Sequence, residues 1–267
     1  MARFILVAGA VMTMLGGSNV WAWSGGPRLN VTDVAPHCAV CHSSMQKEQH
    51  RGLPEGVQNA LWVENRHYKA IQDGAGGYKD MSPADRARLL ADVKAMDAAA
   101  SVVVAAPPGA KPGQEVSVTA TVKGGGAGPV VGVALVDSDL KQQARPVAGD
   151  GWLIVGAPRI IGPDGQPQTR WTDGRADGLR KNVNSAVIFN HRSDLEKKVF
   201  PESTVTWTLR APQEPGTYTL VAAFFYGTEK ASPVGWTEVA GNKVPRGGTF
   251  GPSGHILMSK PVVVTVR

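Results

Sequence analysis

Two different hydrophobic repeats divide the chain near residue 100. Before that point Leu89, Val93 and Met96 recur at positions i, i+4 and i+7, which is the spacing of one buried face on an α-helix. Ser82 is a good N-cap residue and Pro83 suits the first helical position. The pattern therefore predicts an amphipathic helix from about residue 83 to residue 98, within a mainly helical segment.

After residue 100 the repeat changes to alternate positions, which is typical of half-buried β-strands. The clearest case is Glu115–Lys123, where polar and apolar residues alternate over the whole stretch. Further predicted strands are Val130–Val136, Trp152–Val155, Ala186–Phe189, Thr204–Leu209, Thr217–Tyr226 and Val262–Val266. About seven strands with Gly- and Pro-rich turns favour an antiparallel β-sandwich of immunoglobulin-like scale.

The charge distribution separates the same two parts. The formal net charge of the 267-residue chain is +6, and residues 101–267 carry +5 of it, whereas residues 23–100 are neutral. The basic residues are scattered and form no dense stripe, which argues against a nucleic-acid-binding protein. An acidic protein partner fits this balance better.

The N-terminus has the features of a secretory signal peptide. Arg3 is followed by an apolar stretch, Phe4–Leu15, and by Val20-Trp21-Ala22, which suits a signal peptidase. The apolar stretch is shorter than the ~20 residues that span a bilayer, so cleavage near Trp23 is favoured over a retained anchor. No later stretch is long and apolar enough to span. We expect a signal peptide over residues 1–22, then domains over residues 23–100 and 101–267.

The only two cysteines of the chain stand in the sequence Cys38-Ala39-Val40-Cys41-His42. This C-x-x-C-H spacing is the attachment signature of a c-type haem. The two thiols form thioethers to the haem vinyl groups, and the histidine becomes the proximal ligand of the iron. We therefore expect one covalent haem c bound by Cys38, Cys41 and His42. A local disulfide or a redox C-x-x-C pair is the alternative.

Residues 37 to about 98 resemble a small monohaem cytochrome c domain of class I. The resemblance rests on the C-x-x-C-H motif, on Ile71-x-x-Gly74, and on Met81-x-Pro83 before the closing helix. The remainder resembles the immunoglobulin-like or reeler-like β-sandwich modules of exported bacterial proteins, through Trp207, Ala211-Pro212 and Gly216-x-Tyr218. The expected fold is thus a small helical cytochrome c domain followed by an antiparallel β-sandwich.

The sixth iron ligand has two candidates. The resemblance places Met81 at the ligand position, although it directly precedes the cap residue Ser82 and suits a hydrophobic staple equally well. His67 lies among charged neighbours but shares a helical face with Val63 and Ile71. Another residue or an open coordination site is the third alternative.

The leading functional expectation is an exported electron carrier, periplasmic or extracellular, that exchanges single electrons with a redox protein partner. The sandwich would dock the haem domain on that partner or hold it in a larger assembly. The alternatives are a haem enzyme with an open sixth position and a binding or adhesion module that carries an auxiliary haem. In the sandwich, His191 and His255 have no metal-ligand spacing. The loop containing Trp171 either docks a partner or covers a sheet edge.

Overall fold

The computed structural model describes residues 44–45, 47–128, 130–140, 144–173, 183–229, 235–239, 242–246 and 251–267. The signal segment over residues 1–22 and the haem-attachment residues Cys38, Cys41 and His42 lie outside the described residues.

The described chain is mostly β-sheet, as predicted. Its strands are β1 (Ser44–Met45), β2 (Ser101–Ala105), β3 (Gly109–Ala110), β4 (Glu115–Lys123), β5 (Val130–Val136), β6 (Leu153–Ile161), β7 (Pro167–Gln168), β8 (Ser185–Phe189), β9 (Glu202–Arg210), β10 (Gly216–Gly227), β11 (Gly235–Val239), β12 (Asn242–Arg246), β13 (Gly254–Met258) and β14 (Val262–Val266). The bounds predicted for β4, β5 and β14 are confirmed.

The larger of the two main sheets is built around β10. One edge of β10 pairs with β5, which pairs with β8, and all of these pairings are antiparallel. The other edge pairs with β14 along the first half of β10 and with β13 along the second half. The short strands β1 and β3 extend this sheet as parallel neighbours of β13 and β14.

The second sheet has the order β2-β4-β9-β6-β7, and all its pairings are antiparallel. One hydrophobic core contains the inward residues of both sheets, including Trp207 on β9 and Phe224 on β10. The two sheets therefore pack face to face as a sandwich. Trp171 from the short helical turn Arg170–Asp173 is buried in the same core, so its indole covers the sandwich and is not offered to a partner.

The segment before residue 100 is helical and has a small core of its own. It contains α1 (Glu55–Leu61), a π-helical turn (Glu64–Tyr68) that continues into α2 (Lys69–Asp73), and α3 (Pro83–Ala99). Its core is formed by Val63, Tyr68, Ile71, Tyr78 and Val93. None of the helices in the described part of the chain has both the length and the apolarity needed to cross a membrane.

Helix α3 has the start and the buried face that the sequence predicts. The hydroxyl of Ser82 accepts a hydrogen bond from the backbone N–H of Asp85 at 3.1 Å, as an N-cap residue does. Val93 and Met96 are buried, and Leu89 is partly buried on the same face. The capping bond accounts for where the helix begins, and the buried face accounts for which side packs inward.

Three consecutive glycines follow β4 at the corner of the sandwich that the end of α3 contacts. Gly124, Gly125 and Gly126 all have positive φ angles, between +61° and +65°. A Cβ atom on Gly124 would lie 2.3 Å from the carbonyl oxygen of Ala99, so only glycine lets the end of α3 approach this corner. A single residue, Ala100, separates α3 from β2. The two parts are thus in direct contact at this point.

His191 secures the same corner from inside the sandwich. Its Nε2 bonds to the carbonyl oxygen of Gly124 at 3.0 Å, and its Nδ1 bonds to the hydroxyl of Ser203 at 2.9 Å. A neutral imidazole satisfies both partners, with Nε2–H donating and Nδ1 accepting. Burial lowers the pKa of His191 to about 4.

We predict that His191 makes the protein less stable as the pH falls from about 6.5 to about 4. In that range the unfolded chain binds a proton at this residue and the folded chain does not, so acid favours unfolding. The expected decrease in the free energy of unfolding is about 3 kcal/mol. Urea unfolding of the wild type and of His191→Gln across this pH range measures it. Equal pH slopes for the two proteins would contradict the prediction.

Candidate functional site

The described chain begins next to the predicted haem-attachment motif. Ser44, two residues after His42 in the sequence, lies in β1, opposite His255 of β13. His67, one of the two candidates for the sixth iron ligand, lies in the π-helical turn and is completely buried. His67 and His255 are in direct contact, so β13 links the end of the predicted attachment segment to a buried polar site.

His67 forms hydrogen bonds through both ring nitrogens. Its Nδ1 lies 2.8 Å from Nε2 of His255. Its Nε2 lies 2.8 Å from the hydroxyl of Tyr78 and 3.3 Å from Oε1 of Glu229. π-Helical turns occur frequently at functional sites. Here the turn carries a histidine whose polar atoms all point into the protein, toward the sandwich.

The second histidine leads to a buried carboxylate. Nδ1 of His255 lies 2.8 Å from Oδ1 of Asp97, which is near the end of α3. Asp97 also accepts hydrogen bonds from the hydroxyls of Tyr226 and Tyr68. The residues Asp97, His255, His67, Tyr78 and Glu229 form a continuous chain of contacts, which we call the histidine–carboxylate chain.

The hydrogen-bond directions define where the protons are. Asp97 only accepts, so His255 donates to it from Nδ1. The hydroxyl of Tyr78 donates to Glu229, so Nε2 of His67 donates toward these two oxygens. The bond between the two rings needs one more ring proton. Three protons on two rings amount to one imidazolium, which places one positive charge between two carboxylates.

The surroundings of the two rings act on their neighbours in opposite directions. Burial lowers the pKa of His67, the hydrogen bond to Glu229 opposes this effect, and the neighbouring His255 adds to it, so the net shift is downward. Burial acts to raise the pKa of Asp97, but the charge and hydrogen bond of His255 outweigh it and lower that pKa. The side chains of His255 and Asp97 are only about 3% and 5% exposed, so they form a buried hydrogen-bonded pair.

The surroundings also shift the pKa values of Glu229 and of three tyrosines. Burial acts to raise the pKa of Glu229, but the hydrogen bond and charge of His67, together with hydrogen bonds from Tyr78 and Thr228, bring it down to about 2. Burial and the adjacent carboxylates raise the pKa values of Tyr68, Tyr78 and Tyr226, so all three tyrosines keep their protons. The tyrosine hydroxyls therefore act as hydrogen-bond donors to Asp97 and Glu229.

The other candidate ligand, Met81, lies at the edge of the helical core. Its side chain is partly buried and packs against that core. Its backbone N–H donates to the carbonyl oxygen of Tyr78, and its own carbonyl oxygen accepts from Arg86 of α3 at 2.8 Å. Met81 thus packs on the helical core directly before the cap of α3.

The described donors do not form a ready metal site. Among the residues that the structure describes, no group of three or more His, Cys, Asp or Glu has the arrangement that would hold a metal ion. An imidazole binds iron through a nitrogen lone pair, and each ring nitrogen of His67 already faces another partner. As it is bonded here, His67 does not fit an axial ligand of a haem. Its ligation, like that of Met81, stays a prediction.

Much of the histidine–carboxylate chain was missed from the sequence. Asp97 had a detectable signal, because it follows Val93 by four residues on the buried face of α3, and a carboxylate on such a face needs a partner. Glu229 and His255 had none, since their partners are more than 150 residues away in the chain. Only the fold brings these groups together.

The comparisons with known proteins add no assignment, since no protein-family model matches the chain and no curated protein is significantly similar to it.

We predict that Asp97→Asn destabilises the folded protein by about 3 kcal/mol, because it removes the buried carboxylate that accepts hydrogen bonds from His255, Tyr226 and Tyr68. Urea unfolding followed by tryptophan fluorescence measures the effect. The matched control is Glu115→Gln, which breaks the exposed pair between Glu115 and Arg210 and should cost less than about 0.5 kcal/mol. Similar losses for both variants would contradict the prediction that the buried contacts of Asp97 stabilise the fold more than an exposed pair does.

Proposed function

We propose that the chain is an exported monohaem c-type cytochrome that passes single electrons to or from a redox protein partner. The observation that carries the proposal is the motif Cys38-Ala39-Val40-Cys41-His42, which uses the only two cysteines of the chain. When bound, a covalent haem c would supply one-electron chemistry at its iron. Cys38 and Cys41 are the proposed attachment residues, and His42 is the proposed proximal ligand.

The helical segment supports this proposal. It follows the motif directly, encloses a small hydrophobic core and ends in a capped helix, α3. This is the order of elements that the resemblance to class I cytochromes implies for residues 23–100. We propose that this segment is the haem domain and that residues 101–267 are an immunoglobulin-like module.

The contact between the two parts suggests what the sandwich does. The helical segment is joined to it by the histidine–carboxylate chain, by the pairing of β1 with β13, and by the close approach of α3 to Gly124. These contacts favour a fixed arrangement over a flexible tether. We propose that the sandwich is a platform that orients the haem domain on its partner or within an assembly.

Charge and the N-terminal sequence define the proposed setting. We propose that the protein is exported to the periplasm or outside the cell, because residues 1–22 resemble a signal peptide and c-type haems are attached in that compartment. The excess of five positive charges in residues 101–267 suits an acidic redox protein as partner. Nucleic acid is not proposed as a partner, because no dense basic stripe is present in the sequence.

One observation favours a second candidate function, that of a haem enzyme with an open sixth position. His67 has hydrogen-bond partners at both nitrogens, and Met81 packs against the helical core. If neither binds the iron, a small molecule has access to the sixth position. The ferric spectrum separates the two functions: a low-spin six-coordinate iron supports the electron carrier, and a high-spin iron that binds cyanide readily supports the enzyme.

We predict that the protein, expressed with a cytochrome c maturation system, carries one haem that survives denaturation and acid extraction. The reduced pyridine complex should show an α-band at the c-type position. Replacing both cysteines, Cys38→Ser with Cys41→Ser, should abolish the covalent haem because no other thiol is present.

The control is a histidine close to the motif that is not a proposed ligand. His42→Gln should alter the spectrum of the ferric haem, while His50→Gln should leave it unchanged. A wild-type protein that carries no covalent haem under these conditions would refute the proposed function.

A further inference from the structure

We propose that His67 is a positioning residue that fastens the helical segment to the sandwich through His255 and Asp97, and is not a ligand of the iron. The proposal goes beyond the proposed function and assigns His67 a role of its own. It rests on the histidine–carboxylate chain, which runs from Asp97 near the end of α3 to His255 on β13, back to His67 in the π-helical turn, and on to Tyr78 and Glu229.

His67 uses both of its ring nitrogens for buried hydrogen bonds. An axial histidine presents one ring nitrogen to the metal and uses the other to bind a second group that orients the ring. His67 has no nitrogen left for a metal, because Nδ1 binds His255 and Nε2 binds Tyr78 and Glu229. Iron ligation would require it to give up at least one of these buried hydrogen bonds.

The residues of this chain of contacts come from both parts of the protein. In the histidine–carboxylate chain, Asp97, His67 and Tyr78 belong to the helical segment, and His255 and Glu229 belong to the sandwich part. The bond between His67 and Tyr78 stays within the helical segment, but the bonds from His255 to Asp97 and His67, and those from Glu229 to His67 and Tyr78, all cross the junction. Tyr226 of β10 adds another crossing through its hydrogen bond to Asp97 at 2.8 Å. Separating the two parts would break all these bonds together.

The other polar contacts across the junction are weaker in kind. Arg51 and Asp139 form an ion pair at 2.7 Å, but the side chain of Arg51 is 55% exposed, and such surface pairs contribute little. The amide of Gln49 reaches the carbonyl oxygen of Met258 only at 3.4 Å. Among the described residues, the histidine–carboxylate chain is thus the main buried polar connection between the two parts.

The ring itself explains why a histidine stands at position 67. An imidazole has two polar atoms on opposite sides of a rigid ring, so it can bridge His255 on one side and Tyr78 with Glu229 on the other. Glutamine has a comparable length, but its amide group can reach only one of these two sides. Replacing His67 therefore interrupts the chain in the middle and leaves a buried polar group unpaired at one end.

This arrangement makes a specific prediction about coupling. Since the links act in series, removing one histidine should loosen the junction about as much as removing both. Residues that act independently would show additive effects. The effect should be confined to the helical segment, because the sandwich has a separate core.

Hydrogen exchange of the full-length protein at neutral pH tests the proposal. In His67→Gln, in His255→Gln and in the double variant, amides of α2 and α3 should exchange at least about tenfold faster than in the wild type, with the double variant close to the single ones. The control Asn184→Ala removes a buried hydrogen bond to the carbonyl oxygen of Leu135 inside the sandwich. It should leave α2 and α3 unchanged.

The milder variant Tyr226→Phe covers the case in which His67→Gln does not fold. It removes one hydroxyl from Asp97 and should accelerate exchange in the same helices by a smaller factor. Unchanged exchange in α2 and α3 in this variant and in His255→Gln would overturn the positioning role, whether or not the protein carries haem.

The ferric spin state of the haem-loaded protein tests the second half of the proposal. His67→Gln should leave the near-infrared and electron paramagnetic resonance spectra as in the wild type. A change from low spin to high spin in His67→Gln, with His255→Gln unchanged, would identify His67 as the ligand and overturn the proposal. Failure of the proposed function is a distinct result, namely a wild-type protein without covalent haem.

Discussion

The arrangement of the protein depends on one buried hydrogen-bonded pair, between the imidazole of His255 and the carboxylate of Asp97. Polar groups with almost no exposure are stable only when their remaining hydrogen bonds are made. Tyr226, Tyr68 and His67 make them here, and these residues come from the sandwich and from the helical segment. The position of α3 against the sandwich and the orientation of His67 both follow from this requirement. The pair thereby links the helical core to the larger core between the sheets.

The same arrangement bears on what the protein can do. The motif that we propose for haem attachment ends two residues before β1, which pairs with β13. A haem domain fastened to a sandwich keeps a constant orientation toward any partner that binds the sandwich. Efficient electron exchange needs such a reproducible approach, and a rigid platform provides it without a flexible linker.

Local elements were largely predictable from the sequence. The N-cap at Ser82 and the spacing of Leu89, Val93 and Met96 predicted α3, and strict alternation predicted β4, because these signals act within a few residues. The strand β2 was not predicted, although its three consecutive valines carried a β signal. The strand β13 lacks alternation, because it has buried residues on both faces of the sheet, so its pattern gave no period of two.

The amino-acid sequence by itself determined the mainly helical and β-rich parts of the chain, and it specifies the motif from which we propose a covalent haem. Those features depend on neighbouring residues and on the spacing of two cysteines. Only the tertiary structure decided the role of His67, because its partners His255 and Glu229 lie 188 and 162 residues away. A lone histidine has the same local sequence whether it binds a metal or a hydrogen-bonding partner. The fold distinguishes the two by what it places at each ring nitrogen.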